Sequence, residues 1–212
     1  VEAARPNGVL LAQIAPRGGR ISGTSSVVQL DAWNWEDAVV KENDGIHLSW
    51  PRSFSRSGWW AEPGGIEPNK NYDKQVTEIQ DFFNDAKAYF LANPAVRDIP
   101  YEAMKGLDSG EKTLFVHVDG EKEIVDAIVF KKKNNIQKMT LVGGYYAFKN
   151  IPLLKENNVS VLLRRVHDLP LLEDEDVNLP YKNAKLLDDA GILVGLQNAG
   201  DMERMQIRNL PF

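Results

Sequence analysis

Cysteine is absent from the 212 residues, which excludes disulfides, thiolate nucleophiles, cysteine-ligated zinc and iron–sulfur clusters together. The compartment stays open, because a chain without cysteine suits the bacterial cytoplasm and the periplasm equally. An excess of positive charge is lacking too: 25 Lys and Arg stand against 30 Asp and Glu, a formal charge of −5. Nucleic-acid binding needs clustered cations to displace counterions, so no nucleic-acid partner is expected. The one basic run, Lys131-Lys132-Lys133, suits the last turn of a helix beside the negative end of its dipole. No apolar run approaches the roughly 20 residues that span a bilayer, and no membrane partner is expected either. The start, Val1-Glu2-Ala3-Ala4-Arg5-Pro6, is no initiator methionine with a charged n-region, so any signal peptide is expected to be removed or to lie outside these residues.

What remains is an ordinary globular mixture, 43% hydrophobic and 26% charged. From about Thr113 short apolar runs alternate with amphipathic stretches. Thr113 to His117 reads as a strand, closed by Asp119-Gly120. Glu121 to Asn134 places Ile124, Val125, Ile128 and Val129 at helical spacing. Met139 to Val142 is a second strand, stopped by Gly143-Gly144. A helical stretch through Ala147, Leu153 and Leu154 leads to a third strand at Val159 to Leu163. An acidic loop, a helix over Leu179 to Ala190 and a strand at Ile192 to Val194 complete the series. Strand and helix alternating every 20–30 residues or so is the pattern of βαβ units and a parallel sheet.

The first half is less regular. Gly8 to Ala15 reads as another buried strand, with further candidates at Ser25 to Leu30 and Gly45 to Trp50. Residues 51–72 are rich in Trp, Gly and Pro and read as a long loop or insertion. Gln75 to Ala92 reads as one long amphipathic helix ended at Asn93-Pro94. Two architectures accommodate this: an open α/β sheet of six or so strands, or a single partial (β/α) TIM-type barrel domain over 1–212, incomplete at both ends. The barrel is the favoured one.

All three histidines fall late in strands or just after them: His47 in GIHLSW, His117 at the end of TLFVH, His167 after VSVLLRRV. In parallel α/β folds such positions share one rim, where catalytic and binding groups gather. Asp119, Asp168 and Asp201 occupy the same rim, and a His/Asp cluster there suits Zn²⁺ or a similar ion. There is no HxH or HExxH, so spacing alone decides nothing. Arg17 to Ser26 is a glycine- and hydroxyl-rich loop after a strand, able to turn backbone N–H groups toward a ligand or to serve as a tight turn. It lacks the lysine of a P-loop. Arg17 and Ser22 from this loop, with Tyr145 behind Gly143-Gly144, are the candidate substrate-binding residues. All five tryptophans precede residue 61, which leaves sugar stacking open beside simple packing.

Several stretches carry a resemblance: APRGGRISGTSSVVQLDAWNWEDA (15–38), VHVDGEKEI (116–124), MTLVGGYYAF (139–148), RRVHDLP (164–170), LPYKNAKLLDDAGILVGL (179–196) and GDMERMQIRNLPF (200–212). Together they resemble amidohydrolases of the imidazolonepropionase-related group. The resemblance implies a metal-dependent (β/α)₈ hydrolase that attacks an amide or cyclic amidine carbon, with zinc the expected divalent ion and a small-molecule amide as substrate. It implies His117 as the fifth-strand metal ligand, Asp201 as the last-strand catalytic and metal-binding aspartate, and His167, at the seventh-strand end, as a further residue that binds the metal or touches substrate. Two departures stand out. The sixth-strand histidine is replaced by Gly143, and the first-strand HxH is not among these residues.

The expectation is therefore an internal, inactive piece of an amidohydrolase-like enzyme that self-associates through exposed strand edges. Loss of one imidazole at Gly143 keeps a second reading open, a degenerate amidohydrolase-fold protein with a binding or regulatory role. A carbohydrate-binding protein using the Trp-rich loop is the third.

Overall fold

In a computed structural model, which describes residues 4–59, 61–92, 94–164 and 166–197, the chain forms a seven-stranded sheet and a separate hairpin. The large sheet opens with β1 (Leu11–Ile14), β2 (Ile21–Gln29) and β3 (Val39–Ser49), each antiparallel to its neighbour. The hairpin, β4 (Phe54–Trp59) and β5 (Glu62–Pro68), stands apart from it. Then β6 (Thr113–Val118), β7 (Lys138–Gly143), β8 (Val159–Leu163) and β9 (Val194–Leu196) add to β3 in turn, every pair parallel.

Each parallel strand lies beside the one before it, and the order never reverses. A doubly wound sheet reverses at a switch point, whereas a barrel winds in one direction. The strand order is therefore that of a partial barrel, with β1 and β9 as the two edges of the sheet among the described residues.

Among the described residues six α-helices accompany the strands: α1 (Trp35–Ala38), α2 (Tyr72–Ala92), α3 (Ile99–Ala103), α4 (Glu121–Lys133), α5 (Ile151–Glu156) and α6 (Leu179–Asp189). Local chemistry sets their ends. Asn34 and Asp98 cap α1 and α3 by accepting from the N–H of Asp37 and Tyr101. In α4, Glu121 and Glu123 occupy the first turn and Lys131 to Lys133 the last, both favourable to the dipole. None of the described helices is long and apolar enough to cross a membrane.

Alternate residues of the strands face these helices. Ile46, Leu48, Leu114, Val116, Met139, Leu141 and Val161 pack with Ile79 and Phe83 of α2, Ile124 and Ile128 of α4, Leu154 of α5 and Leu187 of α6. Burying each such side chain stabilises the fold by about 1.5–3 kcal/mol.

Three sequence readings need correction. The first two strand pairs are antiparallel, so the sheet is mixed. Second, β1 is an exposed edge, with Leu11 and Ile14 more than half exposed, and not a buried strand. Third, residues 51–72 are no irregular loop but contain the β4–β5 hairpin. Its Gly64 lies so close to Ser57 that an added Cβ would collide, which is why glycine and not an apolar alternation marks this strand.

Candidate active site

The face of the parallel strands turned away from the helices carries the next residues in the alternation: His47 on β3, Phe115 and His117 on β6, Thr140 and Val142 on β7, Ser160 and Leu162 on β8. The Thr140 and Ser160 hydroxyls hydrogen-bond across strands at 2.8 Å. His47 stacks nearly parallel on Phe115, with ring centroids 4.8 Å apart.

His47 and His117 meet directly. Nδ1 of His47 lies 2.9 Å from Nε2 of His117, so one ring donates and the other accepts. His47 is 5% exposed, and its second nitrogen, Nε2, is buried without a hydrogen-bond partner. Burial, and after it the His117 ring, pushes the His47 pKa down to about 4, against a small opposing pull from Asp44. His117 is also lowered, by burial first and then by the Arg164 cation. Both shifts favour the neutral imidazoles, one of which uses its lone pair to accept the hydrogen bond from the other.

At the strand ends Asp119, just past β6, pairs with Arg164, just past β8, at 3.0 Å. Between them Gly143 ends β7 with a φ of 102°, and a Cβ there would run into Oδ1 of Asp119. Glycine is needed at this position on both counts. The Gly144 N–H donates to the Val118 carbonyl at 2.7 Å, clamping the β6 and β7 ends together.

These residues border a narrow cavity of about 80 Å³, closed by Tyr145, Asp168, Leu171 and Asn183. Asn183 donates to the Tyr145 carbonyl at 2.8 Å, while its buried Oδ1 has no partner. The acidic segment before α6 is fastened over the rim by Glu175, which accepts from the hydroxyls of Tyr145 at 2.9 Å and Tyr146 at 2.6 Å and from two backbone N–H groups. Burial tends to raise the Glu175 pKa, but these donors hold it below the usual carboxylate range. Tyr145 is pushed up to about 12 by burial and by that carboxylate.

The expected site residues are distributed as follows. His117 is on the inner face beside His47. His167 is exposed, four residues past β8, and its ring meets Tyr181 of α6 edge-on at 5.8 Å. Tyr145 lines the cavity. Ser22 lies on β2 and Arg17 on the exposed turn before it. That turn reaches the same end of the sheet, because Gly23 pairs with His47 and Arg20 exchanges backbone and side-chain hydrogen bonds with Ser49. Asp201 lies outside the described residues. Among the described residues no group of three or more His, Asp or Glu side chains is placed to hold a metal ion.

Sequence reasoning placed His47 at the rim but not against His117, and it overlooked Arg164, Glu175 and Asn183. The described tryptophans fall in three parts of the chain. Trp50 is buried and donates to the Tyr72 hydroxyl, Trp33 and Trp35 are exposed between β2 and β3, and Trp59 is in the hairpin.

No family model matches the chain, and no curated protein matches it. Among solved structures it superimposes on an amidohydrolase from Thermotoga maritima MSB8 with a TM-score of 0.75. What the two share is the fold. Sequence identity is 16%, and the match covers 98% of this chain and 55% of the other, so the chain spans about half of that protein's length. The curled parallel sheet is accordingly a half-barrel, and the His47–His117 pair lies toward the strand ends where barrel chemistry is placed.

Proposed function

We propose that the chain is an amidohydrolase-like, metal-dependent hydrolase of the imidazolonepropionase-related kind, acting on a non-peptide C–N bond of a small amide or cyclic amidine. The observation that carries this reading is the buried, neutral imidazole pair at the C-terminal part of parallel strands. The fold likeness supports it as analogy. What supports a borderline divalent ion such as zinc is the chemistry of the two imidazoles, nitrogen donors such an ion accepts, and the buried His47 ring nitrogen without a partner; the described residues add no third ligand beside them. In this reading His117, His167 and Asp201 hold the ion. A divalent ion there supplies Lewis acidity toward the carbon under attack.

The chain's own residues do the remaining work. Arg164 keeps the Asp119 carboxylate at the rim, Asp201 handles the proton, and Tyr145, Arg17 and Ser22 border the substrate. Reconstitution with zinc followed by metal analysis tests the proposal. One equivalent bound, and lost in His117→Ala, supports it; less than one equivalent of any divalent ion sinks it. Gly143, seated under Asp119 where the family places a histidine, favours the degenerate binding protein as the second reading. Zinc uptake with no hydrolysis across a panel of amides and cyclic amidines would select that one.

A further inference from the structure

We propose that Asn183 is a specificity-determining residue, whose Oδ1 accepts from an N–H of the ligand in the cavity at the ends of β7 and β8. The group it selects is small and uncharged and pairs N–H donors with a carbonyl oxygen, as a carboxamide or ureide does. This rests on the reading of the rim as a substrate site and assigns the substrate's non-reacting end, because neither His47 nor His117 lines the cavity. Helix α6 turns Pro180, Asn183 and Leu187 to the interior, one face of the helix by their spacing. Asn183 is 3% exposed, and an amide there has both a donor and an acceptor to satisfy. Its Nδ2 donates to the Tyr145 carbonyl at 2.8 Å, which fixes the orientation, since the flipped amide would set oxygen against oxygen. Oδ1 is left buried without a partner among the described residues, a costly state for an acceptor.

The protein's own donors nearby are committed. The hydroxyls of Tyr145 and Tyr146 both donate to Glu175, and Arg164 is paired with Asp119 at 3.0 Å. Asp168 is engaged too, accepting the Leu169 N–H at 3.0 Å. Arg164 and Asp119 cancel in charge, which suits an uncharged group. A guanidinium carries five N–H donors, and a carboxylate takes two at most, so Arg164 keeps donors for a ligand carbonyl. Asn183 as acceptor and Arg164 as donor therefore line one cavity, and a carboxamide presents the complementary pair. A carboxylate would instead set oxygen against Asn183 Oδ1, and an ammonium would give Arg164 nothing to donate to. The cavity, at about 80 Å³, has room for only a few heavy atoms, since one water in the liquid takes about 30 Å³. Leu163, Leu171 and Pro180 give it apolar walls.

The test uses the full chain labelled with ¹⁵N-asparagine, free of divalent ions and followed by ¹H–¹⁵N spectra of the side-chain amides. It is titrated with acetamide, with acetone, which has nearly the same shape but no N–H, and with acetate. Acetamide should move the Asn183 amide signals, and acetone should bind about tenfold more weakly or worse, because it leaves the buried oxygen unpaired. In Asn183→Leu, which suits the apolar stripe of α6, that preference should vanish, with folding checked by circular dichroism. Acetone bound as well as acetamide, or an Asn183 signal that none of the three moves, overturns the proposal. Acetate bound in preference also overturns it and makes the cavity an anion site of Arg164. Each of these results leaves the zinc test of the proposed function to be decided by itself. A preference for acetamide in a chain that takes up no zinc sinks the metal-dependent hydrolase and keeps the pocket as that of a binding protein. The wild-type titrations decide the matter even if the variant fails to fold.

Discussion

The two faces of the same parallel strands make opposite use of neighbouring residues. On β3 the helix side carries Ile46 and Leu48, both fully buried, while the residue between them is His47. On β6 the helix side carries Leu114 and Val116, and the inner side Phe115 and His117. The outer face is uniformly aliphatic, packed against α2, α4, α5 and α6, and supplies cohesion. The inner face mixes two imidazoles, two hydroxyls and a phenyl ring with the aliphatic Val142 and Leu162, a less uniform composition than the outer face and one suited to a site. One face stabilises the fold while the other holds polar groups that a dry interior would penalise.

If that division is right, truncation on the helix side is the most damaging change. Leu141→Ala, at a fully buried position on β7, should cost about 2–5 kcal/mol in denaturant unfolding. A loss below about 1 kcal/mol would mean that the outer face is not the main core. The inner face is next and is revealed by acid. The His47 pKa is depressed to about 4, so the unfolded chain takes up a proton near pH 6.5 before the folded chain does. The sign follows: stability is complete above about pH 6.5 and falls as pH drops from there toward 4, by about 2–3 kcal/mol. In His47→Phe, melting temperatures across that window should flatten. An unchanged slope would assign the acid loss to other groups.

The same division explains what the sequence makes legible. Strands β6 to β8 and helix α4 could be read directly because an aliphatic outer face leaves an apolar run or a 3.6-residue period. The first part of β2, before Ser25, and the first part of β3 could not, being rich in Ser, Thr, Gly and charged residues whose strand character comes from pairing and not from burial. Hairpin β4–β5 was hidden by the glycines and prolines that shape it. The three histidines were visible as strand-end residues, yet the contact between His47 and His117 spans 70 positions and depends on parallel register, which no local pattern encodes. Glu175 is one of four consecutive acids, and only the fold shows which of them the tyrosines select.

That carboxylate offers a smaller test, at the junction of the two faces. Glu175→Ala removes the acceptor shared by Tyr145, Tyr146 and the Leu171 and Leu172 N–H groups, at a cost of about 1–2 kcal/mol. More telling is the titration. With the carboxylate gone, Tyr145 should ionise below its present pKa of about 12, as a shift of the phenolate absorbance to lower pH. Should the absorbance titration stay where it is, Glu175 does not fasten the rim segment as described.

The smallest effect on stability is expected at the sheet edge, where neither face is developed. Leu11 on β1 is 55% exposed, so Leu11→Lys should change unfolding free energy by no more than about 0.5 kcal/mol. Its consequence should appear in association. An edge strand presents unpaired backbone groups, and β1 adds the exposed apolar side chains of Leu11 and Ile14 without a charge among its four residues. Light scattering should find the wild-type chain self-associated at high micromolar concentration, and a lysine at position 11 should shift it toward monomer, as charge on an edge discourages strand addition. A wild-type monomer would remove the edge as a contact. A variant that associates as before would move the contact to β9, where Leu193 and Leu196 are the exposed residues.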